Sequence, residues 1–183
     1  IGGPYASAWG EAVLDDKNVD MLVIGEGDVT LPELADVLER GSLLKEVRGI
    51  VFRQDGKVIR NEQRPPLSDL DTVEVDWEGI GPARYFSSRQ RTAQNSLQRS
   101  SRVAPIFTSR GCPYGCIYCH NIFGRKFRPR SIKNVADEIE KLTRRYGIRE
   151  FEISDDVFNQ DMDRAKAIAE EIIRRDLKAS FAF

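Results

Sequence analysis

The run Arg110-Gly111-Cys112-Pro113-Tyr114-Gly115-Cys116-Ile117-Tyr118-Cys119-His120 holds all three cysteines of a 183-residue chain and its single histidine. Three thiolates in so short a stretch can wrap one corner of a cubane iron–sulfur cluster. With no fourth cysteine, one iron stays open to a ligand from outside the protein, an arrangement suited to chemistry more than to simple electron transfer. Gly111, Pro113 and Gly115 fit a tight loop whose backbone must come close to an inorganic core. The competing reading of the same residues is structural zinc, with His120 completing a Cys3His set. Zinc sites more often pair two knuckles separated by a dozen or more residues, and a ligand directly beside Cys119 would strain a tetrahedron. The pattern favours the cluster, and His120 then reads as a polar residue on an exposed loop.

The spacing CxxxCxxC, with aromatic Tyr118 before the last cysteine, resembles the signature of the radical S-adenosylmethionine enzymes. The resemblance implies a 4Fe-4S cluster on Cys112, Cys116 and Cys119 whose open iron binds the amino and carboxylate groups of S-adenosylmethionine. It further implies reductive cleavage of that cofactor to a 5′-deoxyadenosyl radical, which takes hydrogen from a small-molecule substrate. By the same resemblance Tyr118 lines the adenine pocket. Tyr118 as packing support is the alternative.

These residues need a scaffold. Pro105 to Ser109 reads as a strand running straight into the cysteine loop, and Ser131 caps a helix with Ile132, Val135, Ala136, Ile139 and Leu142 on one face, closed by Gly147. Glu150 to Ser154 reads as the next strand. A second helix follows over about Asp163 to Arg175 with Ala165, Ile168, Ala169, Ile172 and Ile173 inward, and Lys178 to Phe183 opens a third strand. Strand–helix repeats of this length predict parallel strands joined by right-handed crossovers. Reactive groups gather at the carboxyl ends of such strands, which puts Asp155-Asp156 on the same edge as the cysteine loop. By resemblance this position approaches the cofactor's amino group, although the Gly-Gly-Glu usual there is absent. Capping of the following turn is the alternative role.

Upstream, Asp20 to Ile24 is a short apolar strand, followed by Gly25-Glu26-Gly27-Asp28 and then Leu31, Leu34, Val37 and Leu38 at helical spacing. Ile1-Gly2-Gly3-Pro4 reads as the end of an earlier strand, with Ala8 to Leu14 as its crossover helix. Gly49 to Arg53 and Lys57 to Arg60, joined by Gln54-Asp55-Gly56, form a hairpin. A proline-rich acidic stretch from Arg64 to Asp71 reads as a linker, and Ala83 to Arg102, rich in serine, glutamine and arginine, as a long loop. The N-terminal elements and the Pro-Pro-Leu-Ser-Asp-Leu linker resemble the end of a cobalamin-binding domain placed before a radical domain. In that branch Gly2, Gly3, Gly25, Glu26 and Gly27 lie along the nucleotide tail of cobalamin. Tyr5 stands where a histidine is common in relatives.

The expected architecture is therefore α/β: residues 1–66 the C-terminal part of a Rossmann-like cobalamin-binding domain with its hairpin, 67–102 a linker, and 103–183 the first three strands of a (β/α)6 radical barrel. The start at Ile1 and the stop after three strands read as an internal fragment of a longer enzyme, a cobalamin-dependent methyltransferase or a cyclase, inactive alone. Forty per cent hydrophobic residues and a net charge of −1 suit an ordinary globular chain, and no apolar run is long enough to span a bilayer. With every cysteine in one motif, none remains for a disulfide, and a reducing cytoplasm is the expected compartment. No acidic residue occurs from Arg84 to Ala136, whereas Arg84, Arg89, Arg91, Arg99, Arg102, Arg110, Arg125, Lys126, Arg128, Arg130 and Lys133 are basic. One reading is a basic face that receives an acidic electron donor such as flavodoxin or ferredoxin; the other is solvated loop charge, with Arg128 and Arg130 contacting carboxylates or capping loops. Nucleic acid is disfavoured, since no aromatic stacking pattern is interleaved with the charges.

Overall fold

The computed structural model describes residues 1–85, 100 and 102–183. These group into two compact units, residues 1–68 with 113–126 and residues 69–112 with 127–183. Most of the serine- and arginine-rich loop, with Arg89, Arg91 and Arg99, lies outside the described residues.

In the first unit β1 (Met21–Val23) pairs with β2 (Ile50–Gln54), and β2 with β3 (Lys57–Arg60), both antiparallel. The β2–β3 turn has Asp55 at φ 50° and Gly56 at φ 74°, two successive positive values that match the twist of a two-residue hairpin. On the other side of β1, Ile1 donates to the Met21 carbonyl at 3.0 Å and accepts from the Val23 amide at 2.8 Å. That pattern is a parallel bridge, so Ile1 does sit as a strand end beside Leu22. The helix after it departs from expectation: α1 spans Gly3–Trp9 and gives way to a 3-10 turn over Gly10–Asp15. Proline near the helix start suits the first turn, and Gly10 at φ 56° breaks the α-helix where the sequence pattern would have continued it.

Helix α2 (Gly27–Arg40) turns only Thr30 and Leu34 fully inward and Val37 partly, while Leu31 and Leu38 are exposed. Positions 30, 34 and 37 form one stripe; positions 31 and 38 lie on its flank, about 70–90° from its centre. Alternation along the strands then fills both faces of the sheet. Leu22 and Val51 pack with Ala6, Val13 and Leu14, whereas Val23, Ile50 and Phe52 pack with Leu34 and Val47.

The second unit begins with short turns that include α3 (Trp77–Ile80), burying Leu70 and Trp77. Its sheet is parallel in the order β4 (Val103–Ile106), β7 (Glu150–Ile153), β8 (Ser180–Ala182). Between β4 and β7 run a short pair, β5 (Ser109–Arg110) and β6 (Arg128–Pro129), and α4 (Ile132–Tyr146); α5 (Met162–Arg174) links β7 to β8. Ser131 accepts from the Asn134 amide and Gly147 closes α4 at φ 66°, as the sequence indicates. Val135, Ile139, Leu142, Ile168 and Ile172 join Ala104, Ile106, Phe151 and Trp77 in one core. Ala169 and Ile173, expected inward, are exposed: α5 seals the sheet with a stripe narrower than its apolar content.

Candidate metal centre

Where β4 ends, the chain is held from several sides. The Ser154 amide donates to the Ile106 carbonyl at 2.9 Å, which carries the parallel pairing one step past β7 and lays residues 155 and 156 beside residues 108–111. Asp155 Oδ1 accepts from the Thr108 amide at 2.6 Å, and its Oδ2 accepts from the Thr108 and Ser109 hydroxyls at 2.6 and 2.5 Å. Asp156 Oδ2 accepts from the Gly111 amide at 2.9 Å. Neither aspartate caps the following 3-10 turn, whose N-cap is Val157 with no side-chain bond.

Arg164, in the first turn of α5 and 8% exposed, donates from the opposite side to the Thr108 carbonyl and hydroxyl and to the Arg130 carbonyl. Burial pulls its pKa down, and the nearby charges of Asp155 and Asp161 oppose that pull. The Arg130 amide donates to the Thr108 carbonyl at 2.9 Å, and Ser109↔Pro129 with Arg110↔Arg128 close the β5–β6 ladder. Residues 111–127 therefore leave and re-enter through a pinned neck.

Cys112 stands at that neck, half-buried, while Cys116 and Cys119 are exposed; all three thiols are free. The Cys119 amide donates to the Cys116 carbonyl at 3.2 Å, making a turn between the second and third cysteines. Arg125 donates to the Tyr114 carbonyl at 3.0 Å and lies so near Gly115 that a Cβ there would stand 2.8 Å from the guanidinium. Ile117, Tyr118 and His120 face solvent. Among the described residues no three His, Cys, Asp or Glu side chains converge closely enough to hold a metal ion. The donor set nonetheless fits iron–sulfur ligation, because residues 111–127 offer three soft thiols and no carboxylate, a poor match for a hard cation.

In the first unit Gly2-Gly3 follows Ile1 and Gly25-Glu26-Gly27 follows β1, so both glycine turns leave the same end of neighbouring parallel segments. Gly3 (φ 87°) and Gly25 (φ 79°) both need positive φ, and nothing lies within 4 Å of where a Cβ would stand. That open edge suits close approach of a ligand to backbone. The Gly25 amide donates to Ser7 Oγ at 3.0 Å, and Glu26 accepts from the Leu67 amide at 3.1 Å.

The basic stretch is partly internal. Arg128 is buried, and Arg130 donates to Glu138 at 2.6 Å and to the Phe107 carbonyl at 2.7 Å. Thr108, Ser109 and Arg164 escaped the sequence reading. A lone arginine on the inward side of α5 and a Thr-Ser pair just ahead of the cysteine loop were the available signals.

Residues 106–182 match the profile of the Radical SAM superfamily. The chain is 33% identical over 192 residues to the cytidylyl-2-hydroxyethylphosphonate methyltransferase of Streptomyces wedmorensis, covering 92% of this chain and 36% of the relative. It is 30% identical over 183 residues to the anaerobic magnesium-protoporphyrin IX monomethyl ester cyclase of Rubrivivax gelatinosus, covering 97% and 31%. Among solved structures, the radical S-adenosylmethionine methyltransferase TsrM from Kitasatospora setae, with cobalamin and a [4Fe-4S] cluster bound, superposes with TM-score 0.66 at 23% identity, over 95% of this chain and 33% of that one. The likeness to TsrM is one of fold. The chain spans roughly a third of the length of the curated relatives it matches. Its three-cysteine loop, β7 and β8 all lie within residues 106–182, the segment that matches the Radical SAM superfamily.

Proposed function

We propose that this chain is the portion of a cobalamin-dependent radical S-adenosylmethionine methyltransferase that joins the end of a cobalamin-binding domain (1–66) to the first three strands of a (β/α)6 barrel (103–183). The observation that carries the reading is the three-cysteine loop issuing from a pinned strand end inside the superfamily segment. Cys112, Cys116 and Cys119 would hold the 4Fe-4S cluster. When bound, cluster and S-adenosylmethionine supply reductive cleavage to a carbon radical, and cobalamin a methyl carrier. The chain's own part is to present three thiolates on a short loop, to set Tyr118 beside the adenine, and to place Gly2, Gly3, Gly25, Glu26 and Gly27 along the nucleotide tail. The exposed Arg125 and Lys126 suit docking of an acidic one-electron donor of the flavodoxin or ferredoxin kind.

Anaerobic reconstitution with iron and sulfide tests this. A brown chromophore with close to four irons per chain, lost in Cys116→Ala, is expected; a colourless protein retaining one zinc would remove the proposal in favour of a zinc-stabilised module. Similarity to the Rubrivivax cyclase favours a second reading, ring formation without methyl transfer. Labelled methyl from S-adenosylmethionine decides between them once the longer enzyme acts on its substrate: label in the product supports methylation, and its absence supports cyclisation.

A further inference from the structure

We propose that Asp155, opposed by Arg164, is a positioning residue that fastens the entrance of the cysteine loop, with Asp156 adding a second fastening at Gly111. The inference rests on the cluster reading of the loop and assigns the aspartates a role different from contact with the cofactor's amino group. Both oxygens of Asp155 are already engaged, by the Thr108 amide and by the Thr108 and Ser109 hydroxyls. Thr108 and Ser109 are essentially inaccessible to solvent, so those donors have no water to replace the carboxylate. Turning Asp155 toward an ammonium group would leave them orphaned, and each buried donor would bear its full desolvation penalty.

Arg164 makes the clamp two-sided. Its guanidinium takes the Thr108 carbonyl and hydroxyl, so amide, carbonyl and side chain of one residue are all fixed by a pair of opposite charges. Charge-assisted bonds of this kind are the stronger ones, and a half-satisfied set in a buried place is worse than none. Thr108 lies four residues before Cys112, and the bond from Gly111 to Asp156 fixes the amide of the residue just before it. Cys112 is thereby held through the backbone on a rigid strand end, whereas Cys116 and Cys119 are exposed. The geometry points to stepwise loading in which Cys112 is the prepositioned ligand and the other two are brought by the loop. Groups that orient metal ligands in this way typically change metal affinity about 10- to 100-fold when removed.

The test compares the wild-type chain with Asp155→Asn and Thr108→Val in two measurements. In the apoprotein, alkylation by iodoacetamide is followed at each cysteine by peptide mass mapping, with Cys116 and Cys119 as internal references. The proposal expects the Cys112 rate to rise roughly fivefold or more relative to Cys116 in both variants, since a charge-assisted bond is lost. General unfolding would also speed Cys112, because Cys116 and Cys119 are exposed already; the ratio is therefore read under conditions where circular dichroism and the thermal midpoint show the variant folded. After reconstitution, iron retained against a chelator should fall about tenfold, while S-adenosylmethionine affinity per loaded cluster stays at the wild-type value. An unchanged Cys112 ratio overturns the proposal, whether or not cofactor affinity changes; a ratio unchanged with weakened S-adenosylmethionine binding would make Asp155 a cofactor ligand. If Asp155→Asn does not fold, Thr108→Val, which deletes a single hydroxyl, decides. Absence of any iron–sulfur chromophore in the wild type would sink the cluster reading, and the alkylation ratio would still report on the clamp.

Discussion

Asp155 and Asp156 mark how far residue types alone lead. Their place at the end of a strand, on the edge shared with the cysteine loop, follows from apolar alternation; the partners of their oxygens do not, because those depend on the register Ile106↔Ile153 between strands more than forty residues apart. Gly49 is a similar case at the scale of one residue. In sequence it reads only as the first residue of a strand; in the fold it precedes β2 and sits at φ 79°, with its missing Cβ position 3.3 Å from Thr30 Oγ1, 3.4 Å from Arg64 Cβ and 3.5 Å from the Ile24 carbonyl. Thr30 cannot give way freely, because its hydroxyl accepts from Arg64 Nε at 2.8 Å. Gly49→Ala should therefore cost about 1–3 kcal/mol, from left-handed strain and crowding together. Urea unfolding checks it: a midpoint equal to wild type would mean that the turn relaxes without loss.

The two long helices of the second unit, α4 and α5, differ in how legible they were. For α4 the cap, the stop and the buried face all agree, since Ser131, Gly147 and the 3.6-residue periodicity point one way. Ser131→Ala should cost about 1 kcal/mol and Ser131→Gly only a few tenths, read as a shift in thermal midpoint. For α5 the count of apolar residues overstated the face, and no spacing of charges announced the ionic clasp that joins it to α4. Arg175 donates to Asp137 at 2.7 Å, to Glu140 at 2.9 Å and to Glu171 at 2.7 Å, and Arg174 adds two bonds to Glu171. Bonds from Arg174 and Arg175 hold the Glu171 carboxyl at about 2, well below its usual 4.5. Asp137 is lowered chiefly by Lys133 and then Arg175, and Glu140 by Arg175 and then Arg144. A carboxyl whose folded pKa is depressed stabilises the fold above its unfolded pKa and loses that contribution as pH falls through the folded value. Thermal midpoints should therefore drop as pH falls from about 4.5 toward 2, and Arg175→Met should flatten that slope. A slope unchanged in Arg175→Met would show that the clasp does not link folding to protons.

At the scale of the molecule the charge pattern needed the structure to be weighed. A net charge of −1 conceals an acid-free window, yet two of its cations are paired within the chain, Arg130 with Glu138 and Lys133 with Asp137. The Lys133–Asp137 pair, one turn apart on α4, is legible from spacing, whereas the Arg130–Glu138 pair depends on how the chain enters α4. Nor could sequence foresee that residues 113–126 group with 1–68, which is a matter of packing between distant segments. What remains as exposed charge on the cysteine loop itself is Arg125 and Lys126, and Arg125 is tied to the Tyr114 carbonyl. Lys126 is then the cleaner probe of donor docking. Steering by exposed charge acts over about 10 Å at 0.1 M salt and weakens as salt rises. Reduction of the loaded cluster by an acidic flavodoxin-type donor should slow as salt is raised from about 50 to about 300 mM and the Debye length shortens, whereas reduction by a small neutral reductant should not. Lys126→Glu should lower the donor's rate at low salt and make it less sensitive to salt, with no change for the neutral reductant. Equal rates for Lys126→Glu and wild type across that range would rule out a docking role for this face of the loop and leave its cations as solvated charge.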